Sequence, residues 1–462
     1  MHSHQEQLLI TNADEHNFTK VVIHTGYFYR FPKELLTQMP KVEEITFPPS
    51  KMHEILPETF SEAKSLKSLS LSSSELRELK ANVFQGADSL RVLNLMENKI
   101  KEINVKAFNG LSALRDLDLT FNELTNIHPK VFDSLTSLEV LHLSHNKLNV
   151  IDSKFFKNNK NLAELILDWN HLDTVELQLP SKFKSLHLSF NGINKLSLKS
   201  KNEVKMTNLE APFNRLEDLK IGDDIEIKEL DLEHNTFESL SSLKKLRTLK
   251  VLRLGGNPIT DLTDLKVFDN LSKLYLNDAF MGYNHKTFSG LTNLQFLSLG
   301  GAGLKTVDVA WFKNLPKLTT LELSLNKIKE IDYEAFEKLP SLKRLEIGMN
   351  RFNCSYIEKM LEFFNGTEIK ITDMNLEDFV NGRDLHSIWC ENVWEDDDDD
   401  EDEFSENGIS GILFVVLGVV IVGIVTFFLV KKFVIKSGVS RRPNSNIRSP
   451  EEGTEVGSVE VP

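Results

Sequence analysis

The sequence lacks most of the residues and motifs on which catalytic, metal-binding and nucleic-acid-binding proteins depend. Its 462 residues include only two cysteines, and no second Cys or His pair stands at the spacing of zinc ligands. A glycine-rich phosphate loop, an H-E-x-x-H motif and a G-x-S-x-G motif are all missing. The formal net charge is −14, whereas nucleic acid requires a basic surface. We therefore predict no enzyme, no catalytic residue, no metal or cofactor site and no nucleic-acid partner.

Charge is also missing from one long stretch near the C-terminus. No charged residue occurs from Gly408 to Val430, and a membrane-spanning helix needs about 20 apolar residues. A buried core helix is the alternative, but such a helix is seldom apolar on every face. We predict a transmembrane helix over residues 409–430. Because basic residues follow it directly, we expect residues 431–462 on the cytoplasmic side and the rest outside.

Three segments around this span lack the pattern of a folded domain. Residues 391–408 contain nine consecutive acids and are interpreted as an extended acidic stalk, with a loose site for a divalent cation or a basic partner as the alternative. Residues 431–462 are poor in apolar residues, which predicts a disordered cytoplasmic tail. Residues 1–17 contain no secretion leader, although a large exterior domain needs one. We therefore expect that the natural chain begins earlier.

What the sequence does contain is a repeat of 24 residues. Examples are "LRVLNLMENKIKEINVKAFNGLSA" from Leu90 and "LTTLELSLNKIKEIDYEAFEKLPS" from Leu318. The pattern L-x-x-L-x-L-x-x-N-x-L-x-x-L is that of leucine-rich repeats, in which stacked coils bury their leucines in one continuous core. It predicts an α/β solenoid, a curved horseshoe with a parallel concave sheet, over residues 18–353. Fifteen repeats begin at Phe18, Val42, Leu66, Leu90, Leu114, Leu138, Leu162, Phe183, Met206, Ile227, Leu249, Leu271, Leu294, Leu318 and Leu342.

Asparagine and phenylalanine recur in phase with the leucines. The Asn at the ninth repeat position is predicted to bond the backbone of neighbouring coils, because buried backbone groups need partners. The Phe residues are predicted to fill the opposite side of the core. Repeats that begin between Leu162 and Leu271 are shorter and mostly lack the Phe, so we expect a thinner and less regular convex side there. The Asn column is Asn98, Asn122, Asn146, Asn170, Asn191, Asn214, Asn235, Asn257, Asn326 and Asn350, and the Phe column is Phe60, Phe84, Phe108, Phe132, Phe156, Phe312 and Phe336.

The residue before the Asn is aromatic or histidine in six successive repeats. Contiguous exposed aromatic residues mark interaction sites, so we predict that this ladder binds a ligand on the concave face. The alternative is that these residues only pack on the turn. Acids and histidines in neighbouring columns could make binding pH-sensitive. The ladder is Phe121, His145, Trp169, Phe190, Phe213 and His234, and the neighbouring residues are Asp116, Asp118, Glu139, His142, Glu164, Asp168 and His187.

The repeats end in "NRFNCSYIEKMLEFFNGTEIKI", which has helical spacing and is interpreted as the start of a C-terminal cap over residues 354–390. The repeats and this ending resemble extracellular leucine-rich repeat ectodomains of Toll-like and Slit-like type. With two cysteines and a single span, the chain looks like the transmembrane class of mosquito leucine-rich immune proteins. This resemblance implies a receptor-like role in innate immunity.

The predicted exterior location leads us to expect two covalent modifications, a disulfide and glycosylation. In an oxidising compartment Cys354 and Cys390 are predicted to form a disulfide, with two free thiols as the alternative. Four Asn-x-Ser/Thr sequons predict glycosylation at Asn17, Asn270, Asn353 and Asn365. The complete prediction is a single-pass plasma-membrane protein that binds an extracellular protein or a microbial surface ligand on its concave face and signals through a co-receptor. The alternative is a cell-adhesion protein without signalling.

Overall fold

The computed structural model of the chain describes residues 19–24, 28–152, 154–279, 282–372 and 456–459. The N-terminal segment 1–17 with Asn17, the stalk 391–408, the predicted span 409–430 and Cys390 lie outside these residues. Among the residues described, no helix has both the length and the apolar character to cross a bilayer.

The described chain is a succession of short strands with few helices. The α-helices are α1 (Glu34–Gln38) and α2 (Cys354–Asn365), and 3₁₀ helices span Ser241–Leu243, Thr263–Val267, Val309–Trp311 and Tyr333–Lys338. The strands in chain order are β1 (Lys20–Ile23), β2 (Glu44–Thr46), β3 (Ser68–Ser70), β4 (Glu78–Leu79), β5 (Val92–Asn94), β6 (Glu102–Ile103), β7 (Asp116–Asp118), β8 (Val140–His142), β9 (Val150–Asp152), β10 (Glu164–Ile166), β11 (Thr174–Leu179), β12 (Ser185–His187), β13 (Lys195–Ser200), β14 (Val204–Glu210), β15 (Leu219–Ile221), β16 (Ile225–Asp231), β17 (Val251–Arg253), β18 (Lys273–Tyr275), β19 (Phe296–Ser298), β20 (Thr320–Glu322), β21 (Arg344–Glu346), β22 (Lys370–Thr372) and β23 (Val456–Val459).

One parallel sheet runs the length of the described chain. Its neighbouring strands are β23, β1, β2, β3, β5, β7, β8, β10, β12, β14, β16, β17, β18, β19, β20, β21 and β22. A strand follows or contains each of the fifteen predicted repeat starts, with Met206 inside β14 and Ile227 inside β16, while β22 was not predicted. The register keeps each central leucine opposite the next one, so that Leu117, Leu141 and Leu165 lie side by side and are fully buried.

The core therefore exists only between coils. Burying one leucine contributes roughly 1.5–3 kcal/mol, and a single coil has nothing to bury it against. Opposite the main sheet, the predicted Phe column forms a second line of contacts. The ring centroids of Phe84 and Phe108 are 6.1 Å apart, and those of Phe108 and Phe132 are 6.2 Å apart. Phe288, which the sequence analysis did not include, continues the column and stacks on Phe312 at 6.2 Å.

The middle coils are more regular on this opposite side than predicted. There β9, β11, β13 and β15 form a second, four-stranded parallel sheet. The expectation of a less regular convex side is wrong for these coils. Without a bulky Phe to accommodate, the chain can run straight, and the buried side chains of Val175, Leu177 and Leu179 alternate inward as in any strand. Farther toward the N-terminus, β4 and β6 form a two-stranded pair.

Helix α2 begins at Cys354, shortly after Asn350, the last Asn of the ladder. Its N-cap residue Asn353 accepts a hydrogen bond from the backbone N–H of Ser355 at 2.9 Å, which satisfies one of the free donors of the first turn. Ile357, Met360 and Phe364 bury one face of the helix at the end of the core. The cap prediction is described only as far as residue 372. The Cys354 side chain and Cys390 lie outside the described residues, so the disulfide stays a prediction.

The strand β23 lies in the segment predicted to be a disordered tail. It pairs in parallel with β1, with Lys20 opposite Val456 and Ile23 opposite Val459. The prediction of disorder is therefore wrong for these four residues. The physical reason is that the first strand of a solenoid leaves a row of unpaired backbone N–H and C=O groups, which accepts another strand.

Candidate functional site

The turn after each main-sheet strand is held by the asparagine ladder. Asn146 is representative: its Oδ1 accepts from the Leu124 backbone N–H at 3.0 Å, and its Nδ2 donates to the carbonyls of Leu119 (3.0 Å), Leu143 (3.1 Å) and Ser144 (3.2 Å). All ten predicted asparagines make equivalent bonds, so this prediction is confirmed. Each turn is thereby fixed to both of its neighbours.

The residue before each of these asparagines has a left-handed backbone conformation. The six predicted ladder residues have φ values of 54°, 52°, 56°, 54°, 55° and 51° in chain order. Their N–H groups still bond from coil to coil: Phe121 donates to the Ser144 carbonyl at 3.1 Å, and Phe213 donates to the Glu233 carbonyl at 2.9 Å. The backbone thus presents one side chain per coil from the same place.

The six ladder side chains stack into one continuous row, hereafter the ring row. Centroid separations along it are 4.0, 5.5, 4.1, 4.4 and 4.3 Å, and neighbouring planes differ by 9° to 18°. These distances follow the strand spacing of about 4.8 Å, which brings together rings that are far apart in sequence. The ring row consists of Phe121, His145, Trp169, Phe190, Phe213 and His234, all half-buried.

Stacking leaves the edges of these rings, and not their faces, available to a ligand. Each inner ring has a neighbour on both faces. The row ends where His234 lies over Gly256, at which an added Cβ would come within 2.4 Å of the histidine Nδ1. Gly256 also has a φ of 67°, so both space and backbone conformation require glycine there. The row is therefore a closed stack with one exposed ridge of ring edges.

Large aromatic residues are unusual in this conformation. A left-handed backbone costs a residue with a Cβ about 1–2 kcal/mol, and glycine is the usual solution. Other coils of the same solenoid do use glycine at this position, at Gly256 and Gly301. Stacking stabilises the folded chain by about 0.5–1.5 kcal/mol for each ring pair. The fold therefore allows the ring row but does not require it.

Five carboxylates occupy the two columns between the central strand leucines and the ring row, and a sixth, Asp278, occupies the ring-row column itself two coils beyond His234. We name this set the acidic strip, and the same columns and coils contain one arginine, Arg253. None of the strip's carboxylates forms an ion pair with lysine or arginine among the described residues. On the opposite border of the strands lie Arg115, Glu139, Lys184, Lys228 and Lys250. The acidic strip consists of Asp118, Asp168, Glu210, Asp231, Glu233 and Asp278.

Burial raises the pKa of several of these carboxyls. Desolvation raises the pKa of Glu233 to about 7, and the nearby negative charge of Asp231 adds to this effect. Desolvation also raises the pKa of Asp168, Asp231 and Asp278. Backbone N–H groups partly oppose the shift: Ser189 donates to Asp168 at 2.6 Å, and Glu233 donates to Asp231 at 3.1 Å. The fold thus holds these carboxyls in fixed positions where their ionised form destabilises the folded chain.

The histidines of this face fall into two groups. Desolvation lowers the pKa of His145 and His234, which suits uncharged rings in a stack. The hydrogen bond to Glu210 raises the pKa of His187, whose Nδ1 lies 3.0 Å from the glutamate Oε2. The same contact lowers the pKa of the Glu210 carboxyl. His187 is thus the histidine of this face most directly coupled to an acid.

Sequence reasoning missed the continuation of this face toward the C-terminus. Arg253 places its guanidinium 4.7 Å from the centroid of the Tyr275 ring, and Tyr275 in turn lies 4.8 Å from Phe296. Asp231, Glu233 and Asp278 were also not selected. Following the acid columns for two further repeats would have found Asp231 and Glu233, because they stand at the same repeat positions as Asp118 and Asp168. Asp278 stands instead at the repeat position of the ring row.

Other candidate sites are weaker. A cleft of about 620 Å³ near Arg30, Glu54 and Arg77 is lined by charges of both signs, and its acid Glu54 already pairs with Lys80 at 2.8 Å. No group of three or more His, Cys, Asp or Glu residues in the described chain could hold a metal ion. The sequon asparagines Asn270, Asn353 and Asn365 are all exposed, so glycosylation there stays a prediction that the geometry permits.

Comparison with protein families gives matches over much of the repeat region. A model described as "Leucine rich repeat" matches residues 40–100, 64–124, 88–148, 112–172, 136–193 and 292–352, and a second of the same description matches 245–262. A Xenopus laevis leucine-rich repeat and WD repeat-containing protein 1 is 28% identical over 111 residues. That match covers 23% of this chain and 15% of the relative, so the chain spans only a small part of the curated protein.

Solved structures share the fold over most of the chain. A leucine-rich repeat protein of Leptospira interrogans has a TM-score of 0.57 at 24% identity, over 75% of this chain and 82% of its own. The mosquito LRIM1/APL1C complex has a TM-score of 0.54 at 19% identity, and the match covers 89% of this chain and 69% of that chain. The Toll–Spätzle complex of Drosophila has a TM-score of 0.53 at 20% identity, and the match covers 70% of this chain and 49% of that chain. At these identities the similarity establishes the fold alone.

Proposed function

Because the chain belongs to the leucine-rich repeat family, we propose that it is a recognition protein that binds a polypeptide ligand along its main sheet. The observation that carries this proposal is the ring row. Six half-buried rings form an uninterrupted ridge on one border of the strand face. Aromatic side chains dominate the energetics of protein interfaces, because they bury a large area at a small entropic cost.

Two of the similar structures are complexes of leucine-rich repeat proteins with protein partners. These are the LRIM1/APL1C complex and the Toll–Spätzle complex, the second described as a hub of development and innate immunity. They support a protein partner for this chain and an immune setting for its recognition. A microbial surface ligand is the other partner class that we retain for the same face.

We place this recognition surface on the exterior of the plasma membrane, held by the predicted span 409–430. Recognition would then be signalled through a co-receptor. The pairing of β23 with β1 provides a direct test, because a single crossing between the two strands would put them on opposite sides of the bilayer. An epitope tag after Pro462 should be hidden from antibody on intact cells and accessible after permeabilisation. A tag accessible on intact cells would contradict the anchor and favour the pairing.

The test of recognition compares the ring row with the same column farther along the solenoid. Trp169→Ala/Phe190→Ala removes two central rings. Leu325→Ala/Met349→Ala is the matched control, because these side chains occupy the same turn position and are 48% and 47% exposed. Partners are captured from body fluid and from microbial surfaces, and folding is checked by circular dichroism. Loss of a specific partner in the ring variant alone supports the proposal, whereas equal retention by both variants places the site elsewhere.

Adhesion without signalling remains the alternative role for the same surface. It predicts that cells expressing the chain aggregate with one another when labelled populations are mixed. Contact between two copies through this face would bring two acidic strips together, and like charges across an interface oppose association. Aggregation that the ring variant abolishes would nevertheless favour adhesion over recognition of a separate ligand.

A further inference from the structure

We propose that the acidic strip and the ring row together form a docking surface for a basic, extended polypeptide segment. This inference rests on the proposed function and names the chemistry of its partner. The two features run side by side over the coils from β7 to β16, and the strip continues to Asp278 after β18. The acids would contact lysine or arginine side chains, and the ridge of ring edges would contact apolar side chains of the same segment.

Charge complementarity is the first argument for this occupant. Six carboxylates stand in the strip against one arginine, and that arginine lies over the Tyr275 ring. The positive residues on the opposite border of the strands do not neutralise the strip. Lys184, Lys228 and Lys250 make no ion pair with any strip acid in the described part of the chain. Among the described residues only Glu210 has a cationic partner within ion-pair distance, His187, so an incoming cation would meet five strip carboxylates that make no ion pair.

The extent of the strip argues for a polymer and against a small cation. From Asp118 to Asp278 the strip crosses seven strand spacings, or roughly 34 Å at about 4.8 Å each. An extended peptide covers this distance with about ten residues at about 3.3 Å per residue. The described residues also contain no cluster of three ligand groups that would concentrate a metal ion at one point. A row of separated charges matches a row of separated lysine or arginine side chains.

The geometry of the rings excludes two other polymers as the preferred occupant. Nucleic-acid bases stack on exposed aromatic faces, and the phosphates of nucleic acid would be repelled by the strip. In the ring row the faces of the inner rings are covered by neighbouring rings. Sugar rings, which also pack on the faces of aromatic side chains, would find the same faces covered. A second copy of this chain, with a net charge of −14, is disfavoured by its own acidity.

The experiment measures binding of three synthetic 12-residue peptides to the full-length chain in detergent micelles. One alternates Lys or Arg with Leu or Val, the second replaces the cations by Glu, and the third replaces them by Ser. Four forms of the chain are compared: wild type, Asp231→Asn/Glu233→Gln in the strip, Trp169→Ala/Phe190→Ala in the ring row, and Glu330→Gln/Glu337→Gln as the control. The control pair is exposed, outside the strip, and removes the same charge. The acidic run at 395–403 is present in every form and cancels from the comparison.

The expected result is selective binding of the basic peptide to the wild type. The strip variant should weaken it about tenfold, and the control by less than about twofold. Loss of folding does not complicate the strip variant, because it removes charge from desolvated positions. Three results would overturn the inference: equal binding of the acidic peptide, unchanged affinity in the strip variant, or an equal loss in the control variant. An equal loss in the control variant would show that the peptide responds to the net negative charge of the whole chain and not to the strip.

Failure of this inference is distinguishable from failure of the proposed function. If the ring variant loses its captured partner while the strip variant keeps it, recognition stands and the basic chemistry is wrong. If the ring variant keeps every partner, the recognition surface itself is misplaced, whatever the basic peptide does. If both variants lose the same partner and the same peptide, the two rows act as one surface.

Discussion

The central coils and the C-terminal coils of this solenoid have the same turn but present different chemistry from it. In both regions the residue before the asparagine has a left-handed backbone, with φ of 56° at Trp169 and 54° at Met349. In the central coils these residues stack into the ring row. In the C-terminal coils the same position contains Gly301, Leu325 and Met349, and the last two project into solvent. The backbone therefore does not explain the rings.

The charges at the seventh repeat position follow the same division, while the fifth position has carboxylates in the C-terminal coils too, at Glu322 and Glu346. Beside the ring row lie desolvated carboxylates such as Asp168 and Glu233, which lower the stability of the folded chain at neutral pH. The matching position in the C-terminal coils contains Gly300, Ser324 and Gly348. Residues that reduce stability without shaping the backbone are expected where function requires them. The comparison thus supports the proposed placement of the recognition surface in the central coils.

The largest expected effect tests what the two regions share. Asn146→Ala leaves the buried N–H of Leu124 without its acceptor, whereas the carbonyls of Leu119, Leu143 and Ser144 each keep another donor. We therefore expect a loss of about 2–3 kcal/mol in the free energy of unfolding. Asn350→Ala, where the residue is only half-buried, should cost about 1–2 kcal/mol because water can replace the bonds. Urea denaturation of the purified chain measures both. Equal losses would show that burial does not separate the two turns.

The next effect concerns a single carboxyl of the acidic strip. The pKa of Glu233 is about 7 in the folded chain against 4.5 without the fold, so the folded state binds its proton more tightly. The wild type should therefore become more stable as pH falls from above 7 toward 4.5. Glu233→Gln should raise the free energy of unfolding by about 1–3 kcal/mol at pH 8 and leave it nearly unchanged at pH 4.

The control for this prediction is Glu337→Gln on the exposed surface of the C-terminal coils, which should give no pH-dependent gain. A gain of equal size in both variants would reflect the overall negative charge of the chain. It would then say nothing about desolvation of the strip.

A smaller effect compares glycine substitutions at one position in the two regions. Leu325→Gly relieves the left-handed backbone of an exposed residue without stacked neighbours, and should add about 0.5–1 kcal/mol to stability. Phe190→Gly relieves the same conformation but removes contacts with the rings on both sides, and should cost about 1–2 kcal/mol. Thermal unfolding measures the difference in sign. A gain in both variants would mean that ring stacking contributes nothing.

The smallest effect is the pH dependence of the docking surface. The charged groups that act on Glu233 are Asp231, Arg253 and Asp278. Protonation of Glu233 below its pKa of about 7 removes one negative charge, so the basic peptide should bind about threefold more weakly at pH 6 than at pH 8. In Glu233→Gln this dependence should flatten. A profile unchanged by the substitution would point to His187, which becomes more positive over the same range.

The sequence predicted the solenoid because its signal is repeated fifteen times. The in-phase leucines indicate every main-sheet strand from β1 to β21, and the in-phase asparagines indicate every turn of the ladder. The ring column was visible for the same reason. By contrast β22 carries no repeat around it and was missed. The second sheet of the middle coils was not predicted. The missing Phe residues were interpreted as a sign of irregular structure, whereas these coils form regular strands there.

By itself, then, the sequence determined the coil, its period, and which side chain each turn presents, since these depend on local patterns of hydrophobicity and hydrogen bonding. Only the tertiary structure decided that Phe121 and His145, 24 residues apart, stack at 4.0 Å, and that the row ends on Gly256. It alone decided that Glu233 is desolvated beside Asp231. These properties arise from the spacing between coils, which no single repeat encodes, because each coil acquires its surroundings only from its neighbours.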